Sequence, residues 1–379
     1  MHSRPRLGCK GKTLKFSISK TDLLEALSIV SKGMSGRSTL PILSGIYINV
    51  EDGFITLQAT DLEISVRHKI PALVEVPGTA VVPGKIFHDI VRSLPDAAIS
   101  CSFADEVFNI ECMSSSFNMT TMRPDEFPAF PQVNLIDSID LPASTLAKMV
   151  KKVSKATSRD QTHMVLMGIN LTVEDEKLTM VATDSYRLAI TNLTVEGHQG
   201  LFSLIVPGIT FDEVCKLAAK EETVTIGYSE NQIVFEFGNS TFVTRKLEGN
   251  YPNYRQIIPS EKKVTAVVDT KVFTEAVKRA SIMAQEYMQI RLDISPDAQQ
   301  IEITSNTSDV GGVEERVEAQ VEGEEIVIGF NYQYIMDGLN SVDSDEVIFE
   351  ADSPLKPGVL KSVGDDGFFY LSMPVRLNS

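Results

Sequence analysis

VATDSYRLAI, residues 181–190, repeats an earlier phrase of the chain, LQATDLEISV at 57–66. In both, a polar Ala-Thr-Asp core stands between an alternating apolar run and an aliphatic strand. Asp61 and Asp184 lie 123 residues apart. A catalytic motif has no reason to recur at a fixed interval, whereas a repeated structural unit does. A weaker third phrase keeps the same step: IEITSNT starts at Ile301, after ITLQATD at Ile55 and LTMVATD at Leu178. VVPGKIFHDIV from Val81, IVPGITFDEVC from Ile205 and IVIGFNYQYIM from Ile326 each read as strand, glycine turn and helix. Phe127-Pro128 and Tyr251-Pro252 close the first two units.

Each unit opens alike, in LKFSISKTDLLEALSIVSK, IDLPASTLAKMVKKVSK and VTAVVDTKVFTEAVKRAS. A strand leads through a polar residue into a helix, with Asp22, Ser144 and Thr270 near the helix starts, where side-chain acceptors satisfy free N–H groups. The pattern predicts an α+β fold of three repeated domains. Each has two helices among roughly eight antiparallel strands, the helices on one face of the sheets. Boundaries fall near 137 and 261, which gives an unpatterned extension 1–12 and domains 13–136, 137–260 and 261–379.

The 379 residues are 43% hydrophobic and 23% charged, as in ordinary globular proteins, and each third is long enough to bury a core. Apolar runs such as LFSLIV at 201–206 are too short to span a bilayer, and the basic N-terminus is followed by no apolar stretch. Cytoplasmic residence without a membrane partner is the expectation. Cys9, Cys101, Cys112 and Cys215 form no CxxC pair and read as small buried hydrophobes, though Cys101 and Cys112 could face each other across a hairpin.

A net charge of −16 argues against contact with phosphates unless the positive charge is gathered in one place. It is gathered. In LAKMVKKVSKA, the apolar Leu146, Met149, Val150 and Val153 share one helix face. Lys148, Lys151, Lys152 and Lys155 keep the same spacing two residues later, about 200° around the helix. The third unit repeats this more weakly: Phe273, Ala276, Val277 and Ala280 are its buried stripe, and Lys271, Lys278 and Arg279 lie outside it. Such a face, without a glutamate in an acidic chain, suits sequence-blind contact with a polyanion.

No phosphate loop, dinucleotide fingerprint, zinc motif or nucleophile elbow is present, so no cofactor or metal is expected. The five histidines are scattered. Asp61 and Asp184 have Thr307 as their third counterpart, so the position requires a turn former and not a carboxylate.

The phrases RSTLPILSGIYI (37–48), ATDLE (59–63), ATDSYRLA (182–189), EGNYPNYRQIIP (248–259) and YLSMPVRL (370–377) resemble the bacterial DNA sliding clamp, the beta subunit of DNA polymerase III. The resemblance runs from about Leu14 to Leu377. It implies a non-catalytic processivity factor. Two chains would join head to tail into a ring, with helices lining the hole and sheets outside. The ring would encircle duplex DNA and tether the replicative polymerase, the clamp loader and repair proteins through their short linear peptides.

Carried over by motif, the peptide pocket comprises Leu166, Thr183, Ser185, Tyr186, Arg187 and Leu188. Pro252, Gln256 and Ile257 form another wall, and Leu371, Met373, Pro374, Val375 and Arg376 close it. Tyr186 stands where the family commonly has His, and Gln256 where it has Arg, which bears on peptide preference. Read from the residues alone, Leu166, Leu188 and Ile257 are core. Arg37 matches a DNA-contacting loop arginine of the family, and Lys148, Lys151, Lys152 and Lys278 follow from the helix faces. Phe117 and Met119 match one half of the family's dimer interface, and Ile282 and Met283 the other. Two rival readings are a peptide-binding scaffold that ignores DNA, favoured by the net charge, and a hydrolase using Asp61 and Asp184.

Overall fold

The computed structural model describes residues 13–36, 39–51, 53–195, 201–308 and 310–377. Repeat 1 runs β1 (Leu14–Ser19), α1 (Lys20–Val30), β2 (Gly45–Glu51), β3 (Phe54–Thr60), β4 (Ile64–Pro71), β5 (Leu73–Val76), β6 (Gly78–Pro83), α2 (Gly84–Ser93), β7 (Ala98–Ala104), β8 (Val107–Cys112) and β9 (Ser115–Thr120). Repeat 2 runs β10 (Asp137–Pro142), α3 (Ala143–Ser154), β11 (Gly168–Glu174), β12 (Lys177–Thr183), β13 (Arg187–Thr194), β14 (Phe202–Pro207), α4 (Gly208–Leu217), β15 (Thr223–Tyr228), β16 (Gln232–Phe237) and β17 (Ser240–Arg245). Repeat 3 runs β18 (Val264–Asp269), α5 (Thr270–Ala280), β19 (Gln289–Ser295), β20 (Gln300–Thr307), β21 (Gly311–Glu318), β22 (Gln320–Gly323), β23 (Ile326–Asn331), α6 (Tyr332–Leu339), β24 (Glu346–Ala351), β25 (Gly358–Ser362) and β26 (Asp365–Ser372). Two helices per repeat and the strand–helix–strands order agree with the sequence pattern.

The strands form four sheets, antiparallel throughout, in the orders β5-β1-β7-β8-β9, β10-β15-β16-β17-β4-β3-β2-β6, β14-β11-β12-β13-β26-β25-β24-β18-β22 and β21-β20-β19-β23. The described residues make two compact units. The first holds those up to Ala143 with Leu217–Arg245, and the second holds Ser144–Lys216 with those from Lys246 onward. Repeat 2 is therefore shared between them. In the first unit β17 pairs with β4, Phe242 opposite Val66. In the second unit β26 pairs with β13, Tyr370 opposite Ala189. These are equivalent seams between repeats. The counterparts of their strands in the other two sheets, β9 and β21, are sheet edges among the described residues.

A second regularity covers other edges. After the last strand of each repeat the chain crosses back over an edge strand and makes one backbone hydrogen bond. Met122 donates to Val81 (2.8 Å), Leu247 to Ile205 (3.0 Å) and Val375 to Gly329 (2.9 Å). A Cβ at Gly329 would stand 2.9 Å from the Val375 carbonyl oxygen, so the close approach of the last strap needs glycine there.

The recurring Ala-Thr-Asp phrase is a turn. Asp61 Oδ1 accepts from the N–H groups of Glu63 (3.0 Å) and Ile64 (2.7 Å), and Asp184 Oδ1 from those of Tyr186 and Arg187 (both 3.0 Å). Thr60 Oγ1 donates to the Ile64 carbonyl (2.8 Å) and Thr183 Oγ1 to that of Arg187 (2.7 Å). Leu62 (φ 77°) and Ser185 (φ 78°) occupy the same left-handed position. In repeat 3, Ser305 donates to the carbonyl of Ala280, the last residue of α5, and Thr307 to that of Met283 just beyond it (both 2.6 Å), so the phrase degenerates where its hydroxyls have another task. Asp61→Ala is expected to lower stability by about 1 kcal/mol, the net worth of a lost hydrogen bond, and Asp61→Asn by much less. Urea denaturation of the two variants checks this.

The helix stripes lie as the periodicity predicts. Leu146, Met149, Val150 and Val153 are buried in α3, and Phe273, Ala276, Val277 and Ala280 in α5. The caps differ. Ser19 Oγ accepts from Asp22 N–H (3.1 Å) at α1, and Asp269 from Val272 N–H (2.8 Å) at α5. The capping residues thus precede Asp22 and Thr270, because the acceptor must sit outside the first helical turn. Cys101, Cys112 and Cys215 are free thiols. Burial pushes that of Cys215 up to about 12. Cys101 stands opposite Ile110, two residues short of Cys112, so the two do not face each other, and Cys9 lies outside the described residues.

Candidate functional site

Several of the predicted pocket residues gather on one face of the nine-stranded sheet in the second unit, while Arg187, next to Leu188 in β13, turns to the other face and meets α6. Leu188 and Leu371 face each other across the β13–β26 seam, and Val181 and Ile190 pair beside them. These four make a buried cluster, against which Tyr251, Tyr254, Ile258 and Phe369 pack half-buried. Around this apolar floor stand exposed side chains: Tyr186 (62% exposed), Ile257 (44%) and Met373 (37%). Pro252 and Gln256 are exposed on the connector that crosses the sheet face, the latter on its 3-10 turn Tyr254–Ile257. Tyr251 Oη donates to the Val181 carbonyl (3.3 Å), which pins the start of this connector, and burial raises that phenol's pKa.

The C-terminal strap forms the opposite side. Met373 N–H donates to the Tyr186 carbonyl (2.8 Å), and Gln289 Nε2 to the Arg376 carbonyl (3.3 Å). Pro374 and Val375 are half-buried between these ties. Thr183 is buried in the turn, Ser185 is exposed there, and Leu166 is buried on the 3-10 segment Gln161–Met167.

Arg187 organises the remaining rim. Its side chain is 10% exposed and pairs through Nε with Asp184 (3.0 Å) and through Nη1 with Asp337 on α6 (2.5 Å). Its guanidinium lies 4.6 Å from the Tyr334 ring centroid, and Tyr334 stacks on Tyr186 at 6.5 Å with an interplanar angle of 23°. Burial alone would lower the Arg187 pKa, but Tyr370 and Asp337 more than offset it, so the net shift is upward. The arrangement is an apolar trough between an aromatic tier and a thioether, with no nucleophile–base pair in it. It can hold aliphatic side chains of an extended peptide.

Leu166 and Leu188 are buried, as expected from the residues alone, but Ile257, expected as core, is an exposed rim residue; Leu371 is fully buried beside Leu188. Sequence reasoning missed Val181, Ile190, Tyr251, Tyr254, Ile258, Phe369, Tyr334 and Asp337. Strand alternation gives Ile190 from Leu188, but Tyr334 and Asp337 come from α6, which the repeat pattern marks only as a helix.

The basic faces are only partly as expected. Lys148 and Lys151 are exposed on α3, Lys151 at 3.8 Å from Asp343, and Lys155 is exposed just beyond its end. Lys152 is not: its side chain is 12% exposed, 2.6 Å from Asp365 and 3.5 Å from Asp343, and 5.5 Å from the Phe368 ring. Two residues round a helix is not quite opposite the core stripe, so Lys152 falls on the flank and meets carboxylates there. It is corrected from a phosphate contact to an internal ion pair. Hydrogen bonding from Lys152 holds the Asp365 carboxyl below its usual range. A depressed folded-state pKa stabilises the fold above the unfolded value of about 3.9 and is lost as pH falls through the folded one. Lys152→Met is expected to flatten acid-induced unfolding below about pH 4. Lys278 is exposed 3.5 Å from Glu275, and Arg279 makes two bonds to Glu315 (2.8 and 2.7 Å). Arg37 lies outside the described residues.

Of the four residues expected at an interface, Phe117 (37% exposed) and Ile282 (66%) are open, and Met283 is half-buried. Met119 is only 8% exposed and stands opposite Phe108, so its side chain belongs to the core of repeat 1. Among the described residues no helix is long and apolar enough to cross a membrane.

Residues 14–131, 140–253 and 255–376 match, in order, the N-terminal, central and C-terminal domain families of the DNA polymerase III beta subunit. The beta sliding clamp of Staphylococcus aureus is 34% identical over 375 residues, which cover 96% of this chain and 99% of that protein. The crystal structure of the Bacillus subtilis DNA polymerase sliding clamp superposes with a TM-score of 0.91 at 31% identity, covering 96% of this chain and all of that one. A Pseudomonas aeruginosa sliding clamp bound to griselimycin superposes at 0.91 with 27% identity over the same shares.

Proposed function

The chain belongs to the bacterial beta sliding clamp family of non-catalytic processivity factors, and from that premise we propose that two copies close head to tail into a ring around duplex DNA. The observation that carries this is the open pair of strand edges. The β17–β4 and β26–β13 seams are made within the chain, and the equivalent β9 and β21 have no such partner among the described residues. Phe117, Phe242 and Tyr370 each stand five residues before a strap residue. Val66 and Ala189 each follow the residue paired with the turn threonine, and Val313 follows Gly312, which is paired with Asn306. The third seam therefore sets Phe117 opposite Val313 of a second copy. A heterologous contact of this kind, repeated by rotation, gives a closed ring.

We assign the domain boundaries to 137 and 261, cytoplasmic action, and loose phosphate contact to Lys148, Lys151, Lys278 and Arg37. The trough of Leu188, Leu371, Tyr186, Ile257 and Met373 takes short peptides of the polymerase, loader and repair proteins. Tethering raises their effective concentration at the primer end.

The deciding experiment is retention on nicked circular DNA after loading with a loader and ATP, before and after linearising the circle. Loss on linearisation means topological linkage, and equal retention defeats the ring. The third seam also has little charge to screen. β9 has no charged residue, Glu315 is held by Arg279, and Glu314 lies 2.5 Å from Arg316. Dimer affinity is expected to change less than about threefold between 0.1 and 1 M salt, where charged contacts are largely screened. Analytical ultracentrifugation across that range checks it.

A further inference from the structure

The connector that walls the peptide trough has a second anchor beyond it. Leu188, Leu371, Val359 and Glu350 are paired in turn across β13, β26, β25 and β24, so they lie on one face of the sheet. Glu350 is thus about 10 Å from Leu371 along that face, two strand spacings away. It is 8% exposed and clasped on both oxygens: Lys262 donates to Oε1, and Lys361 to Oε2 at 2.6 Å. Lys262 belongs to the connector and Lys361 to β25 beneath it.

Between the packed Ile258 and the clasped Lys262, the connector spans a cleft of about 190 Å³ lined by Pro259, Ser260, Glu261 and Phe369, among others. Phe369 also packs on the trough floor. The span is held at its ends and bridges open space between them. Its near end carries Gln256 and Ile257, the trough wall. At its far end, one residue beyond Lys262, Lys263 N–H donates to the Ala351 carbonyl of β24 (2.9 Å), where the connector enters β18.

We propose that Glu350 is a positioning residue for the peptide trough, drawing the connector onto the sheet through Lys262 and so setting the Gln256–Ile257 wall. This rests on the trough being the peptide site. Glu350 belongs to β24, so its bond to Lys262 joins the connector to the sheet while its bond to Lys361 on β25 stays within the sheet.

The test is calorimetric titration of the full chain with griselimycin, together with thermal melting and hydrogen exchange of residues 251–262. Lys262→Met is expected to weaken binding at least about fivefold and to speed exchange of the connector, as local opening does, with the melting temperature nearly unchanged. Lys361→Met removes an equal ion pair but leaves the connector clasped, so binding is expected to stay within about twofold of the parent, like an ordinary surface change. Glu350→Gln is expected to resemble Lys262→Met in binding. Parent-like binding by Lys262→Met overturns the proposal. Equal weakening by both lysine variants also overturns it, because the pair is then only structural. No binding of griselimycin by the unaltered chain defeats the trough assignment itself.

Discussion

Phe117→Glu is expected to sediment as a monomer at concentrations where the parent chain is dimeric, and to leave nicked circles as fast as linear DNA. Phe117 is 37% exposed on an edge strand, so the substitution spares the core of repeat 1. In the proposed seam it faces Val313 of the second copy, and the equivalent Phe242 and Tyr370 are buried in the seams within the chain. Burying such a side chain contributes about 1.5–3 kcal/mol. A carboxylate there adds a desolvation cost of several kcal/mol without a partner. Each ring contains two seams, so the effect counts twice. At about 1.4 kcal/mol per tenfold, dimer affinity falls by more than roughly 1,000-fold. A cysteine pair checks the register separately: Phe117→Cys with Val313→Cys is expected to cross-link between copies, and Phe117→Cys with Glu315→Cys is not. A monomer–dimer constant for Phe117→Glu within tenfold of the parent defeats the seam.

Arg187→Met is expected to destabilise the second unit by about 3 kcal/mol and to abolish peptide binding at the proposed trough. Removing one member of a buried pair costs about 3–5 kcal/mol because the other charge is left unpaired. The lower end applies here. Asp184 keeps two backbone N–H donors, and Asp337 keeps Gln333 Nε2 at 3.2 Å. Binding fails because the guanidinium supports the Tyr334 ring on which Tyr186 stacks. Arg187→Lys keeps the charge but loses the fork and the flat face, and an intermediate cost of about 1–2 kcal/mol is expected. Urea denaturation and calorimetry give the two numbers. Full binding by Arg187→Met removes the aromatic tier from the site.

Much of this protein follows from local patterning. The 123-residue step is visible because turns are made by local hydrogen bonds, and Thr60–Asp61 and Thr183–Asp184 bond backbone within four residues. The buried stripes of α3 and α5 follow from helix period, which depends only on residue spacing. The capping residues were missed by one to three positions because several polar residues precede each helix and only geometry selects among them.

Lys152 shows where patterning stops. Its spacing puts it with three exposed lysines, yet Asp343 and Asp365, from a segment about two hundred residues later, turn it into an internal tie. The trough is similar. Family likeness places its residues, but Leu188 is floor and Tyr186 rim because β26 pairs beside β13 and the connector crosses above them. Three copies of a strand–helix unit, the turn that marks them and the gathering of lysines on one helix are legible along the chain, since each is a matter of neighbours in it. Tertiary packing sets which lysines stay exposed, which strand edges are unpaired among the described residues and which side chains rise around the trough. Those depend on pairings between residues far apart in the chain, which no local period encodes.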